Sequence, residues 1–230
     1  MLSNLEFLER YAAPGRIGLA GGTTLVDRVI CRAERHVGDG EQWSQWSHAF
    51  IFEGRRLDGQ HWVIESDLDI HRKHIRLGAQ ENRLTKYHDE SLYTVLGVLD
   101  FKLSAEQINL VLREGLELVA AQTRYSLREL LGTVIALRHA PMRQQENVLA
   151  RDRSLYCSAL VRHLYLKAGL DLLPGIDLKH TTPEDLARAA PPHKTYLLER
   201  ATAHSKLRKL AGRLRRRVRA RIRLVKRRSS

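Results

Sequence analysis

Cysteine is scarce in this sequence: its 230 residues include only Cys31 and Cys157. Two cysteines do not make a disulfide framework, and neither has a second Cys or His at the ligand spacing of a zinc site. No stretch of about 18 or more apolar residues occurs, so no transmembrane helix is predicted. The first residues, MLSNLEFLERY, lack the basic start and apolar stretch of a signal peptide. We therefore expect no metal, no cofactor and a cytoplasmic or peripheral membrane location, with any export needing a specialised secretion system.

Net charge is nearly absent from most of the chain. Residues 194–230 hold 15 of the 39 Lys and Arg residues and one of the 26 acidic residues, Glu199. The first 193 residues keep 24 basic and 25 acidic residues, so the formal charge of +13 comes from the C-terminal segment. We predict a near-neutral domain at residues 1–193 and a basic amphipathic helix at residues 194–230.

Apolar residues in this tail recur at steps of three and four, which predicts one narrow apolar stripe on a basic helix. The stripe consists of Leu207, Leu210, Ala211, Leu214, Val218, Ile222 and Val225. Three interpretations stay open: residues 203–228 lie on an anionic membrane, bind nucleic acid, or pack back on the domain. Nucleic acid is the less favoured partner because the tail has no interleaved aromatic residues.

The order of predicted elements indicates an α+β fold rather than alternating strands and helices. Apolar spacing predicts helices over residues 2–11, 23–36, 104–122, 127–137 and 155–168, and a short helix with Pro183 as its first residue. Runs rich in β-forming residues predict a hairpin from residues 47–54 and 61–67, and further strands at 16–22, 69–77 and 91–100. Ser104 and Gln107 have the spacing of a capping box at the start of the longest helix.

Cys157 falls in the first turn of a predicted helix. With Ser154 as the N-cap, Cys157 takes the third helical position, where the free N–H groups and the positive end of the helix dipole favour a thiolate. The same N–H groups are suited to stabilise an oxyanion. The alternative is that Cys157 is a small buried hydrophobe, because it shares a helical face with Leu160, Val161 and Leu164.

A nucleophilic thiol needs a base, and the base needs an orienting group. His48 opens one strand of the predicted hairpin and Glu65 ends the other, so both residues can reach the same edge of the sheet. The alternatives are a structural histidine and a surface carboxylate. Trp43 and Trp46 precede His48 and either wall the cleft or pack on the sheet. Cys31 lies at an apolar helical position and is predicted to belong to the core.

Several segments together resemble a known enzyme family. These are GRIGLAGGTTLVDRVICRA, WSHAFIF, WVIES, RYSLRELLG and LYCSALVRHLYLKAGLDLLPG. Their order is similar to the circularly permuted branch of the NlpC-type papain-like cysteine hydrolases, the YiiX/YaeF-like group, which is related to the lecithin:retinol acyltransferase-like enzymes. The resemblance covers roughly residues 14–175 and implies a permuted papain-like fold, with a small antiparallel sheet packed against helices and a late nucleophile helix.

The resemblance also implies roles for individual residues. Cys157 would be the nucleophile, His48 the general base and Glu65 the third member of the triad. Tyr156 and the backbone N–H of Cys157 would lie near the oxyanion, and Tyr125 would line the substrate cleft. Ser126 stands where the family commonly has an acid, and Arg16 replaces the usual acid after the first glycine.

These observations predict a cysteine hydrolase or acyltransferase that acts through a thioester on Cys157. Its substrate would be an amide or ester bond of a cell-envelope peptide or lipid. The alternative is a catalytically idle papain-like binding module whose basic tail binds anionic membrane or nucleic acid.

Overall fold

Six antiparallel strands form the centre of the protein. The computed structural model describes residues 2–34, 43–71, 74–121 and 156–200. The strands within these ranges are β1 (Ile17–Gly22), β2 (His48–Arg55), β3 (His61–His71), β4 (His74–Arg83), β5 (Tyr93–Asp100) and β6 (Lys194–Glu199). Their order across the sheet is β4–β3–β2–β1–β5–β6, and each neighbouring pair is antiparallel. The predicted α+β class and small antiparallel sheet are confirmed.

Five α-helices accompany the sheet in the described ranges. They are α1 (Asn4–Tyr11), α2 (Leu25–Ala33), α3 (Ala105–Ala120), α4 (Cys157–Lys167) and α5 (Pro183–Ala187). Helices α1, α2, α3 and α5 each begin with a capping box, which includes the predicted pair of Ser104 and Gln107. None of these helices combines the length and the apolar character that a bilayer crossing requires.

The sheet separates two hydrophobic cores, because successive strand residues point to opposite faces. Ile51 and Ile64 lie in the core that residues of α3 and α4 complete, whereas Phe50 and Val63 lie in the core beside α1. The run Ala49–Phe52 is therefore buried on both faces, which explains why β2 reads as continuously apolar. The predicted hairpin of β2 and β3 is confirmed by their antiparallel register.

The strand predicted over residues 69–77 is wrong. Strand β3 ends at His71 and β4 begins at His74, with His71 and His74 paired, so the predicted stretch spans the end of one strand and the start of the next. The sequence HRKH between the two apolar runs contains no Gly, Pro, Asn or Asp, the residues that mark most hairpin turns.

The basic helix predicted from residue 194 onward also needs correction. Lys194–Glu199 forms strand β6, which pairs with β5 from Val95 to Asp100 and places Leu198 in the core beside α1. Thr195 and Tyr196 are good β-formers, and their position beside an open sheet edge outweighs the helical pattern further along the chain. The tail residues 203–230 lie outside the described residues.

The helix that carries Cys157 starts later than predicted. Tyr156 has an extended backbone (φ −81°, ψ 173°) and is the N-cap, so Cys157 is the first helical residue and not the third. Ser154, the N-cap that we predicted, lies outside the described residues, as do Tyr125, Ser126 and the predicted helix over 127–137.

Candidate active site

The site lies at the end of the sheet where β2 begins. His48 is the first residue of β2 and pairs with Ala20 of β1, while Phe50, two residues further on, pairs with Glu65 of β3. Residues two apart on a strand share a face, so His48 and Glu65 occupy diagonal positions on the same face of neighbouring strands. The His48 Nε2 and Glu65 Oε2 atoms lie 2.7 Å apart in a hydrogen bond.

Glu65 is a fully buried carboxylate with four hydrogen-bond donors. Besides His48, Oε2 accepts a short hydrogen bond from the Tyr87 hydroxyl. Oε1 accepts from Asn82 Nδ2 at 2.6 Å and from the Lys86 ammonium at 2.7 Å. Burial alone would raise the pKa of Glu65, but the hydrogen bond from His48 and the charge of Lys86 hold that pKa far below its usual range. Glu65 is therefore ionised at neutral pH.

His48 lies between the Cys157 sulfur and the Glu65 carboxylate. Its side chain is only 14 % exposed. Burial alone would lower the pKa of His48, but the negative charge and hydrogen bond of Cys157, followed by those of Glu65, outweigh burial and raise that pKa well above its usual value. Because Nε2 is bonded to Glu65, Nδ1 is the ring nitrogen left to share a proton with the Cys157 sulfur.

Cys157 is held at its place by the residues that follow it in α4. The Ser158 hydroxyl donates to the Thr181 carbonyl at 2.7 Å, and the Arg162 guanidinium donates to the Ile176 and Leu173 carbonyls, both at 2.7 Å. These bonds fix the start of α4 against the segment that leads into α5. The Cys157 side chain is half-buried and so remains accessible, at a helix start whose first N–H groups have no partner inside the helix.

Comparison with known proteins supports the fold of this chain and assigns no activity to it. No family model matches the chain, and no curated protein matches it. Among solved structures it is similar to metalloprotein YiiX from Escherichia coli O157:H7, with a TM-score of 0.53 and 14 % identity. The match covers 83 % of this chain and 99 % of YiiX. YiiX belongs to the group that the sequence motifs resemble, and at this identity the likeness shows a common fold.

YiiX is a metalloprotein, and a protein that holds a metal ion needs a set of side-chain ligands for it. A protein site usually supplies three or more His, Cys, Asp or Glu ligands. Across residues 2–34, 43–71, 74–121 and 156–200, no three such side chains come together in this way. The described part of the chain thus provides no ligand set for a metal.

Two of the other predicted site residues are engaged in packing. Trp46 is buried, and its ring lies 2.7 Å from where a Cβ on Gly97 would be, so Trp46 packs on the sheet. The Tyr156 hydroxyl donates to the Lys179 carbonyl. The role of Tyr156 near the oxyanion therefore stays a prediction from the resemblance. Cys31 is buried as predicted, and its thiol donates to the Trp46 carbonyl at 3.2 Å.

Several groups around His48 and Glu65 were not predicted from the sequence. Asn82, Lys86 and Tyr87 all follow from the fold, because β4 and the 3₁₀ turn at Leu84–His88 pass beside Glu65. Glu34, at the end of α2, was also missed: it is buried and accepts from the Glu184 N–H at 3.1 Å. Burial, with smaller contributions from the charges of Asp185 and Cys157, raises the pKa of Glu34 well above its usual value. No local pattern marks any of these residues.

Proposed function

We propose that this protein is a cysteine hydrolase or acyltransferase that forms a thioester on Cys157. The observation that carries the proposal is the order of three groups: the Cys157 sulfur lies close enough to His48 to raise the pKa of its imidazole, and His48 Nε2 bonds to the buried Glu65 carboxylate at 2.7 Å. A nucleophile, a base and a group that orients the base are the minimum set for acyl transfer.

The proposed reaction follows from the order of these three groups. His48 Nδ1 accepts the proton of the Cys157 thiol, and the sulfur attacks the carbonyl carbon of an amide or ester. The N–H groups at the start of α4 stabilise the negative charge that develops on the carbonyl oxygen. The His48 imidazolium then gives its proton to the leaving amine or alcohol, and the acyl group remains on sulfur as a thioester.

The second half of the reaction releases the acyl group. Water or another acyl acceptor gives a proton to His48, and the oxygen or nitrogen of this acceptor attacks the thioester carbonyl. The carbon–sulfur bond then breaks, and the His48 imidazolium returns its proton to the sulfur, which restores the Cys157 thiol. Glu65 keeps the imidazole in one orientation and stabilises its protonated form throughout. The resemblance to the NlpC-type group suggests an envelope peptide or a lipid as the acyl donor.

The thioester can be detected directly. A small activated ester is incubated with the wild-type protein, and intact-mass spectrometry is used to search for the acyl adduct. We expect the adduct on the wild type and on Cys31→Ala, whose replaced thiol is buried away from the site. Cys157→Ala and His48→Ala should show none, while their melting temperatures stay near that of the wild type. An adduct of equal yield on Cys157→Ala would refute the proposal.

A further inference from the structure

Helix α2 has its apolar residues on the outside. An amphipathic helix at the surface of a domain normally buries its apolar face. In α2, Leu25 is 79 % exposed, Val26 53 % and Val29 59 %. The residues that face the protein are Cys31 and Glu34, which are buried. The exposed aliphatic side chains thus form a continuous patch, which we call the α2 patch (Leu25, Val26 and Val29).

The inner side of α2 is firmly attached beside the candidate active site. The Cys31 thiol donates to the Trp46 carbonyl at 3.2 Å, and the Ser44 N–H donates to the Cys31 carbonyl at 3.0 Å. Trp46 lies two residues before His48. At the end of the helix, the carboxyl of Glu34 accepts from the Glu184 N–H at 3.1 Å. These buried bonds oppose rotation of α2, so the α2 patch faces outward next to the site.

Arginines lie along one side of the α2 patch. With 100° between successive helical residues, Arg28 and Arg32 fall immediately beside Leu25 and Val29, and both arginines are exposed. The Arg32 guanidinium carbon also lies 5.8 Å from the ring centroid of Trp43, which is 37 % exposed. Aliphatic and aromatic side chains with a flanking row of cations are the composition of helices that lie in the interface of an anionic bilayer.

We propose that α2 docks on an anionic lipid bilayer, with the α2 patch inserted among the lipids and Arg28 and Arg32 on the phosphates. The argument uses exposure and charge at α2 and does not depend on the reaction proposed for Cys157. The charge complementarity between the arginine row and anionic lipid selects a bilayer over a second copy of the near-neutral domain.

The test compares two double variants of the full-length protein. Binding is measured by co-sedimentation with phosphatidylcholine vesicles, with and without phosphatidylglycerol. Leu25→Ser/Val29→Ser alters the α2 patch, and Leu57→Ser/Leu197→Ser alters two other exposed aliphatic residues as a matched control. Neither variant changes the net charge, so the contribution of the basic tail stays constant. We expect the α2 variant to bind anionic vesicles about tenfold or more weakly, and the control to bind like the wild type.

A second readout reports insertion at α2 itself. An environment-sensitive fluorophore is attached to Val29→Cys, or to Leu57→Cys as a control, in a Cys157→Ser background. Anionic vesicles should shift the emission of the probe at position 29 to the blue and leave the probe at position 57 unchanged. Equal vesicle binding by both double variants would overturn the proposal. A melting temperature that falls only in the α2 variant would also overturn the proposal, because the α2 patch would then be covered by the chain itself. A dimer that only the α2 variant dissociates would overturn it as well.

Discussion

Replacing Glu65 by Gln should lower the pKa of His48, because Glu65 stabilises the protonated imidazole. The substitution keeps the shape of the side chain and removes the charge from a 2.7 Å hydrogen bond to His48 Nε2. Hydrogen bonds to charged groups contribute about 1.5–3 kcal/mol, and one pKa unit corresponds to about 1.4 kcal/mol. The Lys86 ammonium, which now lies 2.7 Å from Glu65 Oε1, would remain without its carboxylate and would disfavour the imidazolium further.

Both changes have the same sign, so the His48 pKa should fall back toward its usual value. The remaining interaction with Cys157 keeps part of the upward shift. The fall is measured by a histidine-selective NMR titration of the wild type and of Glu65→Gln, with the His48→Asn spectrum used to assign the signal. We also expect Glu65→Gln to retain residual turnover, because an orienting residue contributes less than the nucleophile.

A matched control exists where α3 packs on α4. Glu114 accepts a hydrogen bond from His163 Nε2 at 3.1 Å, so Glu114→Gln removes a carboxylate that also contacts a histidine. This variant should leave the titration of His48 unchanged. An unchanged His48 pKa in Glu65→Gln, or an equal fall in Glu114→Gln, would refute the assignment of Glu65 as the partner that stabilises the His48 imidazolium.

Three further outcomes are expected. Iodoacetamide should alkylate Cys157 and spare the buried Cys31 near neutral pH, as peptide mass spectrometry would show, and preferential labelling of Cys31 would contradict the site. Gly21→Ala should lower the free energy of unfolding by about 1–3 kcal/mol. The added Cβ would lie 2.1 Å from the Gln45 carbonyl oxygen, and chemical denaturation would measure the loss. Deletion of residues 203–230 should leave the melting temperature unchanged and weaken binding to anionic vesicles most at low salt, whereas a lower melting temperature would mean that the tail packs on the domain.

The parts of the fold that were predicted correctly are those with a strong local signal. The hairpin of β2 and β3 has two β-rich runs around a turn containing Asp and Gly, and α3 has both a capping box and a helical apolar period. The end of β3 and the strand β6 were predicted wrongly, because their structure depends on pairing with a neighbour. In β6, the open edge of β5 decides the conformation of a segment that continues into a helical pattern.

The residues of the candidate site also separate into those that the sequence could predict and those that it could not. His48, Glu65 and Cys157 could be singled out because the order of motifs resembles a family with those residue types at those positions. The donors to Glu65 could not, because Lys86 is 21 residues away along the chain and reaches Glu65 only through the register of β3 and β4. Glu34 accepts a hydrogen bond from the Glu184 N–H, and these two residues are 150 positions apart along the chain. Pairings of this kind are fixed by tertiary structure, and a single sequence has no period or spacing that encodes them.

The order of charges along the site explains how a buried ionised group is tolerated there. Lys86, Glu65 and His48 form a line in which each group bonds to one of opposite sign, and the line ends at the half-buried Cys157. A buried charge costs several kcal/mol unless opposite charges and hydrogen bonds surround it, and the fully buried Glu65 carboxylate has Lys86 on one side and His48 on the other. The protonated state of His48 therefore depends on both neighbours at once. This dependence couples the proton on the imidazole to the state of the Cys157 sulfur, which is the coupling that acyl transfer through a thioester requires.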